Sequence, residues 1–316
     1  MAKVYGAAMV RNEADIIEAF VRHNLTVLDG LAVVDHGSFD GTSEILAALV
    51  AEGVPVVVAR DDSTGHHQGD VMTRLVRDVL ARTPADFVCA LDADEFLKVR
   101  SRPLLDRVLQ QLPPGMHAVV EWHTYVPDFA AGNPEGDVRK CIAGARRLAQ
   151  ERHDLYKVVV ARDFLRTGDA LIGSGNHLVV PSPAAIAAGR SNPHARLAPE
   201  VLALAHLPVR SCDQFTAKIA IGWLATLATH AAPANAAFHW REVYEDIVAG
   251  RELTPERLAD IAANYGVPRS QWRAADQIAR VEDPFLADIE LRYTQPGRRD
   301  PLALVLAFAA RLAAGS

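Results

Sequence analysis

The sequence predicts an α/β protein whose core is a doubly wound, mostly parallel sheet, followed by a C-terminal helical extension. Over the first hundred residues, four short apolar runs alternate with helical patterns of about 10 to 15 residues. Such alternation is typical of parallel βαβ units, in which a crossover helix returns the chain to start the next strand. From about residue 213 the apolar spacing becomes helical. We therefore expect a domain over 1–212, with halves at about 1–100 and 101–212, and a helical region over 213–316.

Local signals define the elements of the first half. Apolar and β-branched runs predict strands at 3–10, 31–35, 54–59 and 86–91. Apolar residues at helical spacing predict helices at 13–28, 42–52 and 68–82. Asn12, three residues before Asp15, indicates the start of the first helix. The glycines at Gly37 and Gly41 predict a tight turn between the second strand and the second helix.

The pattern is looser after residue 94. We predict a helix at 103–112, an extended segment at 118–123, a Gly/Pro/Asp-rich loop at 127–137, and strands at 155–161 and 178–181. Further helices are predicted at 213–229, 240–248, 255–264, 285–291 and 301–312. Ser211 and Gln214 have the spacing of a capping box at the first of these helices. The last helix has one arginine among apolar residues, which favours core packing or a dimer contact over docking on a membrane surface.

Composition excludes several classes of protein. The chain has 316 residues, of which 50% are hydrophobic, so it is neither disordered nor fibrous. Its 39 acidic and 33 basic residues give a net charge of −6, which argues against a nucleic-acid partner. No transmembrane segment or signal peptide is apparent. Three cysteines without a CxxC pair favour a reducing compartment, so we expect a cytoplasmic location, with peripheral contact to the inner face of a membrane left open.

The most informative segment places three carboxylates directly after a buried strand. It reads FVCALDADEF, and Asp92 and Asp94 lie two residues apart. In extended backbone this spacing puts both side chains on one face, at the carboxyl edge where open α/β sheets bind ligands. Crowded carboxylates need a cation, and Mg²⁺ or Mn²⁺ suits such hard oxygen ligands. A solvated acidic turn or a helix cap explains the segment about equally well.

Two other strand ends carry polar side chains that can meet a ligand. Asp35, in VVDHGSFDGT, can accept a hydrogen bond from a ribose hydroxyl or a base N–H, although a turn capped by Asp40 or Thr42 explains this segment equally well. After the first strand, Arg11 can offset phosphate charge and Glu13 can meet a base or a ribose. Capping of the following helix is the alternative for that pair.

The segment after the third strand faces the same edge. Asp62, Gln68 and Arg74 are candidates to line a nucleotide or sugar there. No GxGxxG pattern follows the first strand, which argues against an NAD-linked oxidoreductase.

Together these motifs resemble the family 2 glycosyltransferases, which have the GT-A fold. The resemblance is carried by MVRNEADII, VVDHGSFDGT and FVCALDADEFL, and by SGNHL at 174–178, AHLPVRSCDQFTAK at 205–218 and LRYT at 291–294. It covers residues 4–220 well. Most members read DDGSTDGT where this chain reads DHGSFDGT, so His36 and Phe39 depart from the family at the turn expected to recognise the base.

The resemblance implies a GT-A-like nucleotide-diphospho-sugar transferase, with a nucleotide-binding half at 1–100 and an acceptor half at 101–212. It implies a donor that is a nucleotide sugar, most often UDP-linked, and Mn²⁺ or Mg²⁺ across the two phosphates. It also implies a glycan or lipid-linked acceptor and inversion of configuration. Asp94 would hold the metal, Asp92 the metal or ribose, and Asp35 the base, with Arg11 and Glu13 in the same pocket.

The remaining roles are open between several residues. His206 is favoured as a further metal ligand and His177 for the acceptor side, although the two assignments can be exchanged. An inverting transfer needs a base within reach of the acceptor hydroxyl, and the candidates are Asp213, Glu121 and Asp154. Arg210 and Lys218 can balance the charge of the diphosphate, or form surface pairs. A sugar nucleotidyltransferase and a non-catalytic protein that binds nucleotide sugars are the alternative functions.

Overall fold

Strands from both halves of the sequence join one large mixed sheet. The computed structural model describes residues 1–130, 138–166, 168, 170–187, 189, 192–229, 238–295 and 300–315. Its strands are β1 (Val4–Val10), β2 (Gly30–Asp35), β3 (Val56–Arg60), β4 (Phe87–Leu91), β5 (Glu95–Lys98), β6 (His117–Val126), β7 (Arg146–Leu148), β8 (Tyr156–Ala161), β9 (Ala170–Ile172), β10 (Val179–Pro181), β11 (His194–Arg196), β12 (Ala203–His206) and β13 (Arg280–Val281). Its helices are α1 (Ile17–Asn24), α2 (Thr42–Ala51), α3 (Gln68–Arg82), α4 (Arg102–Gln110), α5 (Val138–Gly144), α6 (Pro183–Ala187), α7 (Cys212–Leu227), α8 (Phe238–Val248), α9 (Pro255–Ala263) and α10 (Pro301–Gly315).

The order of the strands brings the predicted motifs to one edge. The main path of the sheet is β13-β7-β6-β8-β4-β1-β2-β3. Strands β4, β1, β2 and β3 pair in parallel, so their carboxyl ends open on the same side. Strand β8 runs antiparallel between β4 and β6. The amino end of β8 therefore meets the carboxyl end of β4, and it carries Lys157 to the same edge.

Helices cover both faces of the sheet, as the predicted doubly wound class requires. One buried cluster joins α1, α2 and α4 to the sheet through Phe20, Leu46 and Leu105. A second cluster on the opposite face packs Met72, Val76 and other residues of α3 against β1, β4 and β8. The prediction of an α/β fold with a central sheet is confirmed, and its first four strands are parallel as expected.

Several element boundaries differ from the predictions. Helix α1 begins at Ile17 instead of residue 13, because residues 14–16 form turns. The predicted helix at 285–291 is wrong. That segment has no helix, and the Phe285 ring packs on Phe96 and Tyr125, so its apolar residues follow the core surface without a helical turn. Of the predicted loop at 127–137, residues 131–137 lie outside the described part.

The C-terminal third packs largely as helices. Helices α7, α8 and α9 share a buried cluster that includes Phe215, Val243 and Ile261. Helix α10 packs on α7 through the buried Phe308 ring, which agrees with the core packing expected for it. Strand β13 pairs with β7, so this third also contributes to the sheet. Among the described residues, no helix is long and apolar enough to cross a membrane.

The buried Asn24 side chain ties α1 to β5. Its amide donates to the Glu95 carbonyl (3.0 Å) and its oxygen accepts from the Leu97 amide (2.8 Å). We predict that Asn24→Ala lowers the free energy of unfolding by about 2 kcal/mol, because both backbone groups lose their partner in a buried place. Urea denaturation measures the change. Thr26→Ala, at an exposed position two residues on, is the control; it loses only the hydrogen bond from its hydroxyl to the His23 carbonyl (2.7 Å) and is expected to cost less than about 1 kcal/mol.

Candidate active site

A cavity of about 440 Å³ opens at the carboxyl edge of the parallel strands. Its walls are formed by the turns after β1 and β4, by Lys157 of β8, by one face of α7, and by the segment before β10. Both motif aspartates, Asp92 and Asp94, line it, as do Arg11, Glu13 and Gln68. His177 and His206 line it as well. The cavity therefore brings together most of the candidate residues that were predicted at the carboxyl ends of the parallel strands.

Asp92 is held by three donors from three different segments. Its Oδ1 accepts from the Gln68 amide (2.9 Å) and the Asn176 amide (3.0 Å). Its Oδ2 pairs with Lys157 Nζ at 2.5 Å. The Gln68 oxygen in turn accepts from the Gly175 amide (2.9 Å), which connects α3 to the turn before β10. These contacts fix the carboxylate at the cavity wall.

Asp94 faces a histidine on one oxygen and a lysine on the other. Its Oδ2 pairs with Lys218 Nζ at 2.5 Å, and its Oδ1 lies 3.7 Å from His206 Nε2. The Leu207 amide donates to the Asp94 carbonyl (2.9 Å), so β12 is fixed against this turn. Burial would raise the pKa of Asp94, but the positive charge of Lys218 outweighs it and holds the pKa below its usual value.

His206 is a neutral ring inside an aromatic group. Burial lowers its pKa to about 3, so the ring carries no charge at pH 7. It packs between Trp122 (centroids 4.8 Å apart) and Tyr265 (5.2 Å). Its Nδ1 is buried and has no hydrogen-bond partner in the described structure. A neutral imidazole is in the protonation state that binds metal ions, and the nitrogen that faces Asp94 is Nε2.

Buried cations neutralise the carboxylates around the cavity. Lys157 is 2% exposed and contacts Glu95 Oε1 (2.8 Å) as well as Asp92. Burial would lower the pKa of Lys157, but these two carboxylates outweigh it and hold the pKa above its usual value. Burial raises the pKa of Glu95, and the Lys157 ammonium opposes this shift. The acids around the cavity are therefore paired with cations of the chain itself.

Arg210 joins the turn after β1 to the segment before α7. Its guanidinium, 1% exposed, pairs with Glu13 and with Asp15 (2.6 Å). Burial raises the pKa of Glu13, and Arg210 opposes the shift. Ser211 caps α7 by accepting from the Gln214 amide (3.1 Å), while the Gln214 oxygen accepts from the Arg210 amide (3.2 Å). The predicted cap is confirmed, although the reciprocal bond of a capping box goes to a different amide.

Asp35 lies at the predicted strand end but does not line the cavity. Its carboxylate accepts from the Ser38 amide (3.0 Å) and from the Ser43 hydroxyl, and Arg60 lies at 3.4 Å. Beside it, the Arg11 guanidinium donates to the His36 carbonyl (2.6 Å). These contacts hold the turn against neighbouring segments. The Asp35 oxygens that were expected to accept hydrogen bonds from the nucleotide accept them from the chain instead.

The other candidates at this edge are divided between cavity and surface. Asp62 pairs with Arg311 of α10 at 2.5 Å, and neither it nor the exposed Arg74 lines the cavity. Among the candidate bases, Glu121 pairs with Arg196 and Asp213 lies in the first turn of α7; both are outside the cavity lining. Asp154 is exposed and also outside it.

His177, which was expected on the acceptor side, lines the cavity. Its Nδ1 lies 2.7 Å from the Tyr156 carbonyl oxygen. Because a carbonyl only accepts, this contact places the proton on Nδ1 and leaves Nε2 with its lone pair. Burial lowers the pKa of the ring, which keeps it neutral and able to accept a proton. Gly175 leaves room for it, since a Cβ there would lie 2.4 Å from Nε2.

Two of the three predicted metal ligands come together. Among the described residues, no three His, Cys, Asp or Glu side chains lie close enough to form a complete metal site. The 3.7 Å between Asp94 Oδ1 and His206 Nε2 is nevertheless a separation that two ligands of one divalent ion can span with bonds of about 2.0–2.2 Å. Asp94 and His206 therefore fit such an ion, provided that phosphate oxygens and water complete its shell. Asp92 is directed to Lys157 instead.

Comparison with known proteins gives structural matches only. No protein-family model and no curated protein matches the chain. Residues 1–349 of TarS from S. aureus match at 12% identity and a TM-score of 0.38, over 85% of this chain and 76% of that one. The mannosyltransferase PcManGT from Pyrobaculum calidifontis, in complex with GDP-Man and Mn²⁺, matches at 15% identity and a TM-score of 0.37, over 84% of this chain and 76% of that one.

A third match is glucosyl-3-phosphoglycerate synthase from Mycobacterium tuberculosis, in complex with Mn²⁺, UDP and glucosyl-3-phosphoglycerate. It has 18% identity and a TM-score of 0.34, over 71% of this chain and 80% of that one. Similarity at this level does not assign an activity, so the functional conclusion depends on the residues of the cavity.

Proposed function

We propose that this chain is a metal-dependent glycosyltransferase of GT-A-like fold that moves a sugar from a nucleotide-sugar donor, UDP-linked in the first instance, to a hydroxyl group of a glycan or lipid-linked acceptor with inversion. One observation carries the proposal. Asp94 and His206 face each other at 3.7 Å in a cavity at the carboxyl edge of parallel strands, beside the ammonium groups of Lys157 and Lys218. Such a cavity suits a ligand with a diphosphate group.

Different residues of the cavity have different roles in the proposed reaction. A divalent ion at Asp94 and His206, when bound, supplies positive charge to the departing diphosphate. Lys218 and Lys157 keep the motif carboxylates neutralised, so that they do not repel that group. The rings of Trp122 and Tyr265 flank His206 and give the sugar an apolar wall. Asp94 and His206 are buried, and electrostatic contacts are stronger in such surroundings than in water.

His177 is our candidate for the base that accepts the proton of the acceptor hydroxyl. The tautomer set by the Tyr156 carbonyl leaves Nε2 as a hydrogen-bond acceptor at the cavity. Asp213, Glu121 and Asp154 lie outside the cavity lining, which favours His177 over these three carboxylates as the base. In this scheme the acceptor oxygen forms the new bond to the anomeric carbon, and the electron pair of the broken bond leaves on the diphosphate.

A screen of nucleotide sugars tests the function. The full chain is incubated with UDP- and GDP-linked sugars, with and without Mn²⁺, and release of the nucleoside diphosphate is followed. We expect release only with the metal and only with some donors. Release of pyrophosphate from a nucleoside triphosphate and a sugar phosphate would instead support a nucleotidyltransferase. Binding without turnover under any acceptor would support a non-catalytic protein.

We predict that His177→Gln lowers kcat by about 10²–10⁴-fold, the range found for loss of general base catalysis, while the donor KM changes little. Steady-state kinetics with the active donor measure both constants. His194→Gln is the control, since His194 is also a partly buried histidine with a pKa lowered by burial but lies outside the cavity lining. Equal activity of His177→Gln and the wild-type chain would exclude His177 as the base.

A further inference from the structure

The two lysines at the motif aspartates have different surroundings. Lys157 Nζ contacts both Asp92 (2.5 Å) and Glu95 (2.8 Å), and it lies 5.6 Å from the centre of the Trp122 ring. An ammonium group has three N–H donors. One donor goes to Asp92 Oδ2, the ion pair with Glu95 lies beside it, and the side chain is only 2% exposed. Lys157 therefore has little capacity left for a ligand.

Arg210 is also fully engaged. It is 1% exposed, and its donors go to Glu13 and to both oxygens of Asp15. A further contact of 3.5 Å reaches the Leu207 carbonyl. Arg210 was a candidate to balance the charge of the diphosphate, but its guanidinium connects the turn after β1 with the segment before α7.

Lys218 differs from both of these residues. Its Nζ has one short contact, to Asp94 Oδ2 at 2.5 Å, and a long one of 3.5 Å to the Pro208 carbonyl. Its side chain is 20% exposed and lines the cavity. Beside the Asp94 bond and the weak contact to Pro208, one of its three N–H donors is left, and its side chain is ten times more exposed than that of Lys157. Asp94 Oδ1, on the other side of the same carboxylate, is left for the ion.

We propose that Lys218 is a donor-binding residue that contacts the diphosphate of the nucleotide sugar directly, next to the ion at Asp94 and His206. This inference rests on the proposed function. Asp94 positions the ammonium group through Oδ2, and the remaining N–H donor meets a phosphate oxygen. When the bond between the anomeric carbon and the diphosphate breaks, Lys218 stabilises the charge that develops on the departing oxygen.

Binding of nucleosides and nucleoside diphosphates tests the role of Lys218. Isothermal titration in Mn²⁺ compares UDP with uridine, and GDP with guanosine, for the wild-type chain and for Lys218→Gln. We expect the variant to bind the preferred diphosphate about 10- to 100-fold more weakly, the range for one charge-assisted hydrogen bond, with unchanged affinity for the nucleoside. Lys218→Arg, which keeps the charge, is expected to retain most of the diphosphate affinity.

Lys98→Gln is the matched control variant. Lys98 is also an ion-paired lysine, at 2.6 Å from Asp283, and its side chain is 19% exposed, but it lies outside the cavity lining. We expect wild-type affinity for both ligands. Equal loss of diphosphate affinity in Lys98→Gln and Lys218→Gln would overturn the proposal, as would wild-type affinity in Lys218→Gln.

A measurement on the wild-type chain keeps the inference testable if Lys218→Gln does not fold. A crystal structure of the wild-type chain with Mn²⁺ and UDP is expected to place Lys218 Nζ within about 3.2 Å of a phosphate oxygen. A separation of more than about 4 Å from every phosphate oxygen, in a chain that binds UDP, overturns the role of Lys218 alone. A chain that binds no nucleoside diphosphate overturns the proposed function, and this inference with it.

Discussion

Asp94→Asn is expected to lower the rate of Mn²⁺-dependent sugar transfer by at least about 100-fold. The variant removes the charge that holds both the ion and Lys218, and a bound ion contributes several kcal/mol of charge stabilisation, of which each 1.4 kcal/mol is tenfold in rate. The measurement is the initial rate at saturating donor and Mn²⁺. The same variant should also bind Mn²⁺ more weakly, which titration by electron paramagnetic resonance detects without turnover.

Asp106→Asn is the control for that experiment. Asp106 is buried to a similar degree and pairs with Arg102 at 2.9 Å, but it lies on α4, outside the cavity lining. Its variant should keep the transfer rate within a few-fold of wild type, although it loses some stability. If Asp94→Asn retains more than about a third of the wild-type rate and of the Mn²⁺ affinity, Asp94 is not a metal ligand.

Arg210→Met is expected to lower the free energy of unfolding by about 3–5 kcal/mol. Removal of one member of a buried ionic group leaves the remaining charges uncompensated, and Glu13 and Asp15 both lose their buried partner. Urea denaturation, followed by circular dichroism, measures the change. Because Glu13 belongs to the cavity wall, the variant should also bind the donor more weakly.

The triple variant Glu13→Gln, Asp15→Asn, Arg210→Met tests why Arg210→Met is destabilising. The cause is either that two buried carboxylates lose their cation or that the arginine side chain no longer packs. Neutral amides do not require a cation, so we expect the triple variant to be more stable than Arg210→Met alone. If Arg210→Met lowers the free energy of unfolding by less than about 1 kcal/mol, the three charges are not coupled as the structure indicates.

Local signals were sufficient for the first half of the fold. Apolar runs separated by helical patterns predicted β1 to β4, and parallel pairing then placed their carboxyl ends together. That step alone brought Asp92, Asp94, Arg11 and Glu13 to one cavity. It works because in a parallel sheet the position of a residue along its strand determines the edge at which it lies.

Contacts between distant segments could not be predicted in this way. Lys157 reaches Asp92 from β8, which is 65 residues away and inserts antiparallel between β4 and β6. Strands β5 and β12 were missed, because each has four residues and forms by pairing with distant segments, β5 with β12 and β12 also with β6. The contact between Asp94 and His206 depends on that pairing, so the sequence could only suggest His206 as a candidate.

For Asp35, the sequence predicted the position of the residue but not its hydrogen-bond partners. Its position at the end of β2 was predicted well, but its neighbours Ser38 and Ser43 supply the donors that the carboxylate uses in the structure. A motif reports which residue types are present, and the local hydrogen bonds decide whether they face a ligand. Its role in reading a nucleotide stays a prediction, as do the domain boundary at residue 212 and the cytoplasmic location.

Anomalous diffraction from crystals soaked in MnCl₂ and UDP locates the ion most directly. We predict one strong manganese peak within about 2.5 Å of both Asp94 Oδ1 and His206 Nε2, with the diphosphate on its open side. Diphosphate density in the cavity without manganese between those two atoms, or a manganese peak elsewhere in the chain, would contradict the assignment of this pair as the metal site.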